Sequence, residues 1–273
     1  AFDAFVGNIP FYGFAAICLD NVEAQRLVGR TRDRRVVTYG LSPQADVRAV
    51  DLEPGPTGWR FAVALDERAR GGPRRIDDLF LPMLGEHNVL NACAAITVAN
   101  ELGVSDEALR AGFRGFEGVK RRFTRTGLVG GVAIVDDYGH HPVEIAAVLK
   151  AARASARGRV MAVAPPHPYS RRRDLFEEFC TGFNDAHRGY FADVYAAGET
   201  PIDGVDADAL VAGLRDRGHL DARRLAAPTD LAAAIAEDGA PGDVVVCLGA
   251  GSITAWANAL PRELEALGFG GGA

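Results

Sequence analysis

Cysteine is scarce and scattered in this chain of 273 residues. Only four cysteines occur, and no two have the close CxxC spacing of a metal or redox site: they are Cys18, Cys93, Cys180 and Cys247. The sequence therefore argues against a disulfide framework and against a zinc site built from cysteine pairs. The last three stand in apolar stretches, where cysteine acts as a small core residue. We expect a reduced, cytoplasmic protein.

Long apolar runs and an excess of positive charge are also missing. No apolar stretch reaches the roughly 18 residues of a membrane span, and the chain does not open on a charged segment followed by an apolar one, as a secretory leader does. The formal net charge is −6, whereas nucleic-acid-binding domains are usually basic. We expect neither a membrane nor a nucleic acid as a partner.

Glycine is abundant, at 32 residues, and from Val132 onwards strand and helix patterns alternate regularly. The predicted strands are 132–135, 160–164, 190–194 and 244–248, and the predicted helices are 142–154, 173–186, 208–217 and 231–237. This alternation predicts a doubly wound α/β domain with a mostly parallel sheet.

The first part of the chain has the elements of a separate domain. Its predicted strands are 14–19, 35–39, 46–52, 59–65 and 79–81, and its predicted helices are 22–27, 88–102 and a helix through 111. Ser105 is a favourable N-cap for the last of these helices. We place the domain boundary near Gly118–Arg122.

The segment Asp136–Pro142, with the sequence DDYGHHP, carries two carboxylates, a phenol and two imidazoles. It follows a predicted strand and precedes a helix that Pro142 can begin at its first position. Ligands of open α/β sheets bind beyond the carboxyl ends of strands, so this segment is a candidate site with a potential base. The alternative is that Asp136 and His141 cap the helix while the other residues form a solvated loop.

A second polar cluster, Pro166–Asp174, follows the next predicted strand at the same edge of the sheet. Its three arginines, Arg171, Arg172 and Arg173, can bind a carboxylate or a phosphate through paired hydrogen bonds. Alternatively, at least one of them forms only surface ion pairs with acidic residues of the following helix.

The loop Gly249–Ser252 follows another predicted strand and opens a helix, whose free backbone N–H groups favour an anion or a carboxylate. A dinucleotide fingerprint would need a third glycine three residues on, and Thr254 stands there instead. We therefore reject a standard NAD site at this loop.

Two further segments leave alternatives open. Asn88 and Asn91 lie one helical turn apart and can face one direction, or both amides are solvated. The Arg121-Arg122-Phe123 segment at the domain boundary can place a cation on a ligand between domains, or it is an ordinary charged linker.

In their order and spacing, HNVLNA, GVKRRF, DDYGHHP, PHPYSRRRDLFEEF, DVYAAGE and LGAGSI resemble the motifs of UDP-N-acetylmuramate–L-alanine ligases in the Mur ligase family. NIPFYG near the start resembles the central domain of the same enzymes. The resemblance implies a partial central ATPase domain over residues 1–120 and a Rossmann-like, amino-acid-binding C-terminal domain over residues 121–273. Together with the opening Ala1, it leads us to expect a fragment of a longer protein.

The resemblance also implies roles for single residues. Four would bind ATP near its adenine, ribose or phosphates: His87, Asn88, Arg122 and Asp137. Four would act in catalysis near L-alanine and the acyl phosphate: His140, His141, His167 and Arg171. Four would complete the substrate pocket: Tyr138, Glu199, Gly249 and Gly251.

The implied reaction is the ATP-dependent joining of L-alanine to UDP-N-acetylmuramate through an acyl phosphate, a step of peptidoglycan synthesis. The phosphate-binding loop GxxxxGK[ST] and the acidic Mg²⁺ ligands do not occur in this sequence, so we expect them in a missing N-terminal part and expect this chain to be inactive alone. Pro168 also stands where the family has an arginine. Two alternatives remain, a murein-peptide recycling ligase of the same superfamily and a non-catalytic binding module that kept the fold.

Overall fold

The computed structural model describes residues 2–165, 173–192, 200, 202 and 204–271. The chain divides into two compact units, Ala1–Gly118 and Val119–Ala273. Each unit has a sheet and an apolar core of its own. Among the described residues, no helix is both long enough and apolar enough to cross a membrane.

A five-stranded sheet forms the centre of the first unit. Its elements are α1 (Phe2–Gly7), β1 (Ala15–Cys18), α2 (Val22–Arg30), β2 (Val36–Gly40), β3 (Val47–Gly55), β4 (Gly58–Leu65), β5 (Arg74–Leu81), α3 (Glu86–Glu101) and α4 (Asp106–Arg114). The strands follow one another across the sheet in chain order. β1, β2 and β3 pair in parallel, whereas β4 pairs antiparallel with both β3 and β5.

One apolar face of helix α3 packs in the core of this unit. Val89, Cys93 and Ile96 are buried and lie in one apolar cluster with residues of β2, β3, β4 and β5. Their spacing of four and three residues puts them on one side of a helix. The side chain of Ser105 accepts a hydrogen bond from the amide of Ala108, which makes Ser105 the N-cap of α4, as its sequence position predicted.

The second unit is built on a six-stranded sheet with the order β10-β9-β8-β11-β7-β6. Its elements are β6 (Thr124–Val129), β7 (Val132–Asp137), α5 (Pro142–Ser155), β8 (Val160–Ala164), α6 (Phe176–Gly182), β9 (Arg188–Phe191), α7 (Ala207–Asp216), β10 (Ala222–Arg224), a 3-10 turn (Pro228–Asp230), α8 (Leu231–Asp238), β11 (Val244–Leu248) and α9 (Ile253–Ala266). Neighbouring strands are parallel except for the antiparallel pair β6–β7.

Helices cover both faces of this sheet. Leu149 of α5, Cys180 of α6 and Leu214 of α7 lie in one apolar cluster, and Ile235 of α8 and Leu260 of α9 lie in another. Alternate residues of β11 enter the two clusters, as the period of two in a strand requires. The predicted doubly wound α/β fold is confirmed, and the carboxyl ends of β7, β11 and β8 lie at one edge of the sheet.

The structure differs from the sequence prediction in several elements. The order of the strands was left open by the sequence, and in the structure β11 lies between β7 and β8, although β7 and β8 follow each other in the chain. β5 begins at Arg74 rather than near Leu79, and the predicted helix 173–186 is interrupted by a turn at Leu175 and ends with α6 at Gly182. β6 and β10 were not predicted because they lie at the two sheet edges, where a strand is half solvated and lacks a continuous apolar run.

Candidate active site

The loop after β7 enters helix α5 through a capping box. Pro142 is the first residue of the helix, and the side chain of Glu144 accepts hydrogen bonds from the backbone amides of His140, at 3.0 Å, and His141, at 3.2 Å. The ring Nδ1 of His141 accepts from the amide of Val143 at 3.4 Å. His141 is therefore the N-cap of α5, as one of the two sequence interpretations proposed.

The electrostatics of Glu144 follow from this geometry. Burial raises the pKa of the Glu144 carboxyl, but the backbone amides of His140 and His141 outweigh burial and bring the pKa below its ordinary value. The ionised carboxylate thus fixes the backbone at both histidines.

Asp137 is a buried carboxylate that ties two loops to β7. Its side chain accepts hydrogen bonds from the amide of Gly139, at 2.7 Å, and from the amide of Phe123, at 2.8 Å. Burial raises the pKa of Asp137 above its ordinary value, although these two amides partly oppose the shift. Each carboxylate oxygen therefore accepts from a backbone donor, and the residue is almost completely buried.

Tyr138, which is exposed, and His140, which is half-buried, form the tip of the loop. Their rings meet edge to face, with centroids 5.1 Å apart, and Nδ1 of His140 lies 3.0 Å from the carbonyl oxygen of Tyr138. A carbonyl oxygen can only accept, so in the neutral ring Nδ1 carries the proton and Nε2 is the basic nitrogen. This arrangement gives the imidazole a defined orientation for accepting a proton.

Gly249 and Gly251 follow β11 at the same edge. The amide of Gly249 donates to the backbone carbonyl of Asp137 at 3.0 Å, which joins the Gly249 loop to the β7 loop. Both glycines have φ in the left-handed region, at 142° and 86°, which a residue with a side chain rarely adopts. A Cβ atom at Gly251 would meet no atom within 4 Å, so the loop is open at that position.

Two arginines precede β6 and differ in their surroundings. The guanidinium of Arg121 donates to the carbonyl oxygen of Gly249 at 2.6 Å and lies 3.4 Å from the carboxylate of Asp136. Within the described part of the chain, the guanidinium of Arg122 has no hydrogen bond or ion pair, although its charge acts to lower the pKa of both Asp137 and Glu144. The family resemblance gave a role to Arg122 alone, and the local sequence could not show the contact of Arg121 with Gly249, because the two residues lie 128 positions apart in the chain.

His87 and Asn88 lie in the first unit, in the first turn of α3. Asn88 is buried, its amide group donates to the carbonyl of Leu84 at 2.7 Å, and its side-chain oxygen accepts from Asn91 at 3.3 Å. The two asparagines therefore face each other, and the amide of Asn88 stabilises the start of its own helix.

Three further candidates, His167, Arg171 and Glu199, lie outside the described residues. Arg173, the next arginine of this cluster, is described and forms an ion pair at 2.8 Å with its exposed neighbour Asp174, which is the surface role expected for at least one arginine of the cluster. Within the described ranges, no three His, Cys, Asp or Glu side chains are grouped so as to hold a metal ion.

The second unit thus brings part of the candidate set together. Six of the predicted residues lie at or beside the carboxyl edge formed by β7 and β11: Asp137, Tyr138, His140, His141, Gly249 and Gly251. Arg121, which the sequence analysis did not select, contacts this group through Gly249 and Tyr138.

Both parts of the chain match profiles of Mur ligase domains. The Mur ligase middle domain profile matches residues 1–99, and the profile described as Mur ligase, glutamate ligase domain, matches residues 121–251. A UDP-N-acetylmuramate–L-alanine ligase of Phenylobacterium zucineum is 61% identical over the whole chain, which covers 57% of that relative. The chain therefore spans little more than half the length of this relative.

Solved structures show the same fold at low sequence identity. The UDP-N-acetylmuramate–alanine ligase of Thermotoga maritima matches with a TM-score of 0.67 and 21% identity, over 85% of this chain and 48% of that one. The MurF ligase of the same organism, solved in complex with ADP, matches with a TM-score of 0.67 and 18% identity, over 96% of this chain and 56% of that one. With both of its parts matched by Mur ligase profiles and a relative this similar over its full length, the chain belongs to the Mur ligase family.

Proposed function

We propose that this chain is part of a cytoplasmic, ATP-dependent ligase that joins L-alanine to UDP-N-acetylmuramate in peptidoglycan synthesis. The observation that carries the proposal is the 61% sequence identity, over all 273 residues, to a relative named UDP-N-acetylmuramate–L-alanine ligase. Residues 1–120 would belong to the central ATPase domain, and residues 121–273 would form the amino-acid-binding domain.

The proposed reaction proceeds through an acyl phosphate of the muramate carboxylate. The amine of L-alanine attacks this group, and the tetrahedral intermediate collapses to an amide and inorganic phosphate. ATP supplies the phosphoryl group, and Mg²⁺ would neutralise its charge with ligands from outside this chain. The residues of this chain would bind, orient and exchange protons with the reacting groups.

His140 is the best candidate for the proton acceptor. Its Nδ1 proton is engaged by the carbonyl of Tyr138, so Nε2 is the basic nitrogen of the neutral ring, and we assign to it the uptake of the amine proton. His141, whose Nδ1 caps α5, would act mainly by fixing the backbone beside His140. Gly249 and Gly251 would border the amino-acid pocket.

Arg122 and Asp137 would serve the nucleotide in different ways. The guanidinium of Arg122 has no partner among the described residues and can reach a phosphate. Both oxygens of Asp137 already accept backbone amides, so we assign it to orienting the loops rather than to holding the ribose directly. His87 and Asn88 are proposed to border the adenine, and His167, Arg171 and Glu199 are assigned to the amino-acid site by family resemblance.

A chimera tests the proposal. The part of the Phenylobacterium relative that precedes the matched region is joined to Ala1 of this chain, and phosphate release is measured with ATP, Mg²⁺ and UDP-N-acetylmuramate. We expect release that depends on L-alanine, together with the amide product in mass spectrometry, and no release from this chain alone.

Other outcomes separate the alternatives. Activity with a murein tripeptide but not with L-alanine would identify a recycling ligase. A folded chimera that binds ATP but forms no amide with either acceptor would identify a binding module that kept the fold. Either result would overturn the proposed function.

A further inference from the structure

Three segments that carry candidate site residues meet in the second unit, although they are far apart in sequence. The amide of Tyr138 donates to the carbonyl of Arg121 at 2.8 Å, and the amide of Gly249 donates to the carbonyl of Asp137 at 3.0 Å. The amide of Phe123 reaches the Asp137 carboxylate at 2.8 Å. Backbone groups thus join the segment before β6 to the loop after β7, and that loop to the one after β11.

The side chain of Arg121 contacts both of the other segments. Its guanidinium donates to the carbonyl oxygen of Gly249 at 2.6 Å, and its central carbon lies 4.7 Å from the centroid of the Tyr138 ring. Tyr138 in turn meets the ring of His140 edge to face. One cation therefore fixes the Gly249 loop on one side and the aromatic ring that supports His140 on the other.

A buried carboxylate holds Arg121 in this position. Asp136 lies 3.4 Å from Nε of Arg121, and its side chain is 4% exposed compared with 27% for Arg121. Thr254 of α9 donates to the other oxygen of Asp136 at 3.3 Å. An ion pair shielded in this way is screened much less by salt than a pair on the surface.

The backbone around Arg122 is also constrained. Arg121 and Phe123 have φ values of 60° and 53°, a left-handed conformation that is unfavourable for residues with a side chain. Thr124 accepts the amide of Arg121 at 2.9 Å, and Asp137 accepts the amide of Phe123. Arg122 is held between two strained residues, and such strain persists only where surrounding contacts enforce it.

We propose that Arg121 is a positioning residue whose guanidinium locks the Tyr138–His140 tip to the Gly249 loop, and so fixes the amino-acid side of the site. Arg121 does not itself touch substrate. The part of this inference that concerns catalysis rests on the proposed function, whereas the locking of the loops does not.

Hydrogen exchange in the 273-residue chain tests the lock directly. In Arg121→Ala, the amides of Tyr138 and Gly249 should exchange about tenfold to a hundredfold faster, the factor expected when a charge-assisted hydrogen bond is lost. Arg125→Ala is the matched control, because Arg125 is an exposed arginine of the adjoining strand β6.

Two further substitutions separate the side chain from the strained backbone. Arg121→Gly relieves the left-handed strain but removes the guanidinium, so the amides of Tyr138 and Gly249 should exchange as fast in this variant as in Arg121→Ala. Arg121→Lys keeps a cation and should protect both amides to an intermediate degree. The lock would be contradicted if the amides of Tyr138 and Gly249 exchanged in Arg121→Ala at the same rates as in Arg125→Ala. Full protection of both amides in Arg121→Gly would contradict it as well.

Kinetics of the chimera test the catalytic consequence. Arg121→Ala should lower kcat/KM for L-alanine about tenfold or more while KM for ATP stays within about twofold. Arg122→Ala should instead raise KM for ATP. Unchanged alanine dependence in Arg121→Ala, in a chimera whose unsubstituted form is active, would refute the positioning role. If the unsubstituted chimera is inactive, the proposed function fails, and the exchange rates alone decide whether the lock exists.

Discussion

Asp137 joins two loops through a single buried carboxylate. Its position after a strand was predictable, since polar residues that follow an apolar run emerge at the edge of a sheet. The donors that fill its two oxygens, the amides of Phe123 and Gly139, were not predictable. One of these donors lies 14 residues away in the chain, and no local pattern shows that the two segments meet.

Replacing Asp137 with asparagine tests this joint. The side chain keeps its shape, but its NH₂ group would face a backbone N–H donor, which loses one hydrogen bond and leaves that donor unpaired. Relief of the buried charge acts in the opposite direction, because burial raises the pKa of Asp137. We expect the lost hydrogen bond to dominate and the free energy of unfolding in urea to fall by about 1–3 kcal/mol at pH 7.

Asp216→Asn is the control, because Asp216 is an exposed residue of α7. If Asp137→Asn were as stable as this control, or more stable, the burial penalty of the charge would outweigh its two hydrogen bonds. The carboxylate of Asp137 would then not stabilise the two loops, and we would assign it to binding a ligand instead.

At the scale of elements, an ion-pair network joins α8 to strands β9 and β10. Asp238, at the end of α8, accepts from the hydroxyl of Tyr190 at 2.5 Å and from Arg223 at 2.9 Å, and it also pairs with Arg188. A carboxylate at the C-terminal end of a helix is opposed by the helix dipole. The two arginines compensate for this and hold the helix against the sheet.

Asp238→Asn should weaken this contact in a pH-dependent way. Burial raises the pKa of Asp238, but the hydrogen bonds from Tyr190 and Arg188 outweigh it and hold the pKa below its ordinary value of 3.8. The carboxylate therefore stabilises the fold above that pH, and its contribution is lost as the pH falls through the lowered pKa. The unfolding free energy should drop by about 1–3 kcal/mol at pH 7.

Thermal unfolding of the unsubstituted chain and Asp238→Asn, followed between pH 7 and pH 2.5, measures this effect. The two stabilities should converge in acid. A difference that stays constant over the whole pH range would mean that the substitution acts through packing and not through the charge.

The elements themselves were largely predictable, and their arrangement less so. Fully apolar runs such as Val160–Ala164 and Val244–Leu248 identify central strands, because both faces of such a strand are buried. The insertion of β11 between β7 and β8 was not predictable, since it depends on how the chain returns through α8 from edge strand β10 to the middle of the sheet. Edge strand β10 has three residues, Ala222–Arg224, which is too short for a periodic signal.

At the scale of the whole molecule, we propose that the second unit serves the amino-acid half of a ligase reaction. The loops after β7 and β11 lie together at one edge of the sheet, and the segment after β8 leaves from the same edge. His140 and Arg171 were predicted on two of these segments. Arg171 lies outside the described residues, so its assignment remains a proposal that kinetics must test.

The dependence of the chimera on L-alanine is the most direct test of this account. His140→Ala should slow amide formation much more than it weakens ATP binding, and Arg171→Ala should raise KM for L-alanine roughly tenfold to a hundredfold, as the loss of a charge-assisted hydrogen bond predicts. Arg173→Ala is the matched control, because Arg173 pairs with its exposed neighbour Asp174. If His140→Ala and Arg171→Ala both leave turnover and alanine dependence at the level of that control, the amino-acid site does not lie at this edge of the sheet.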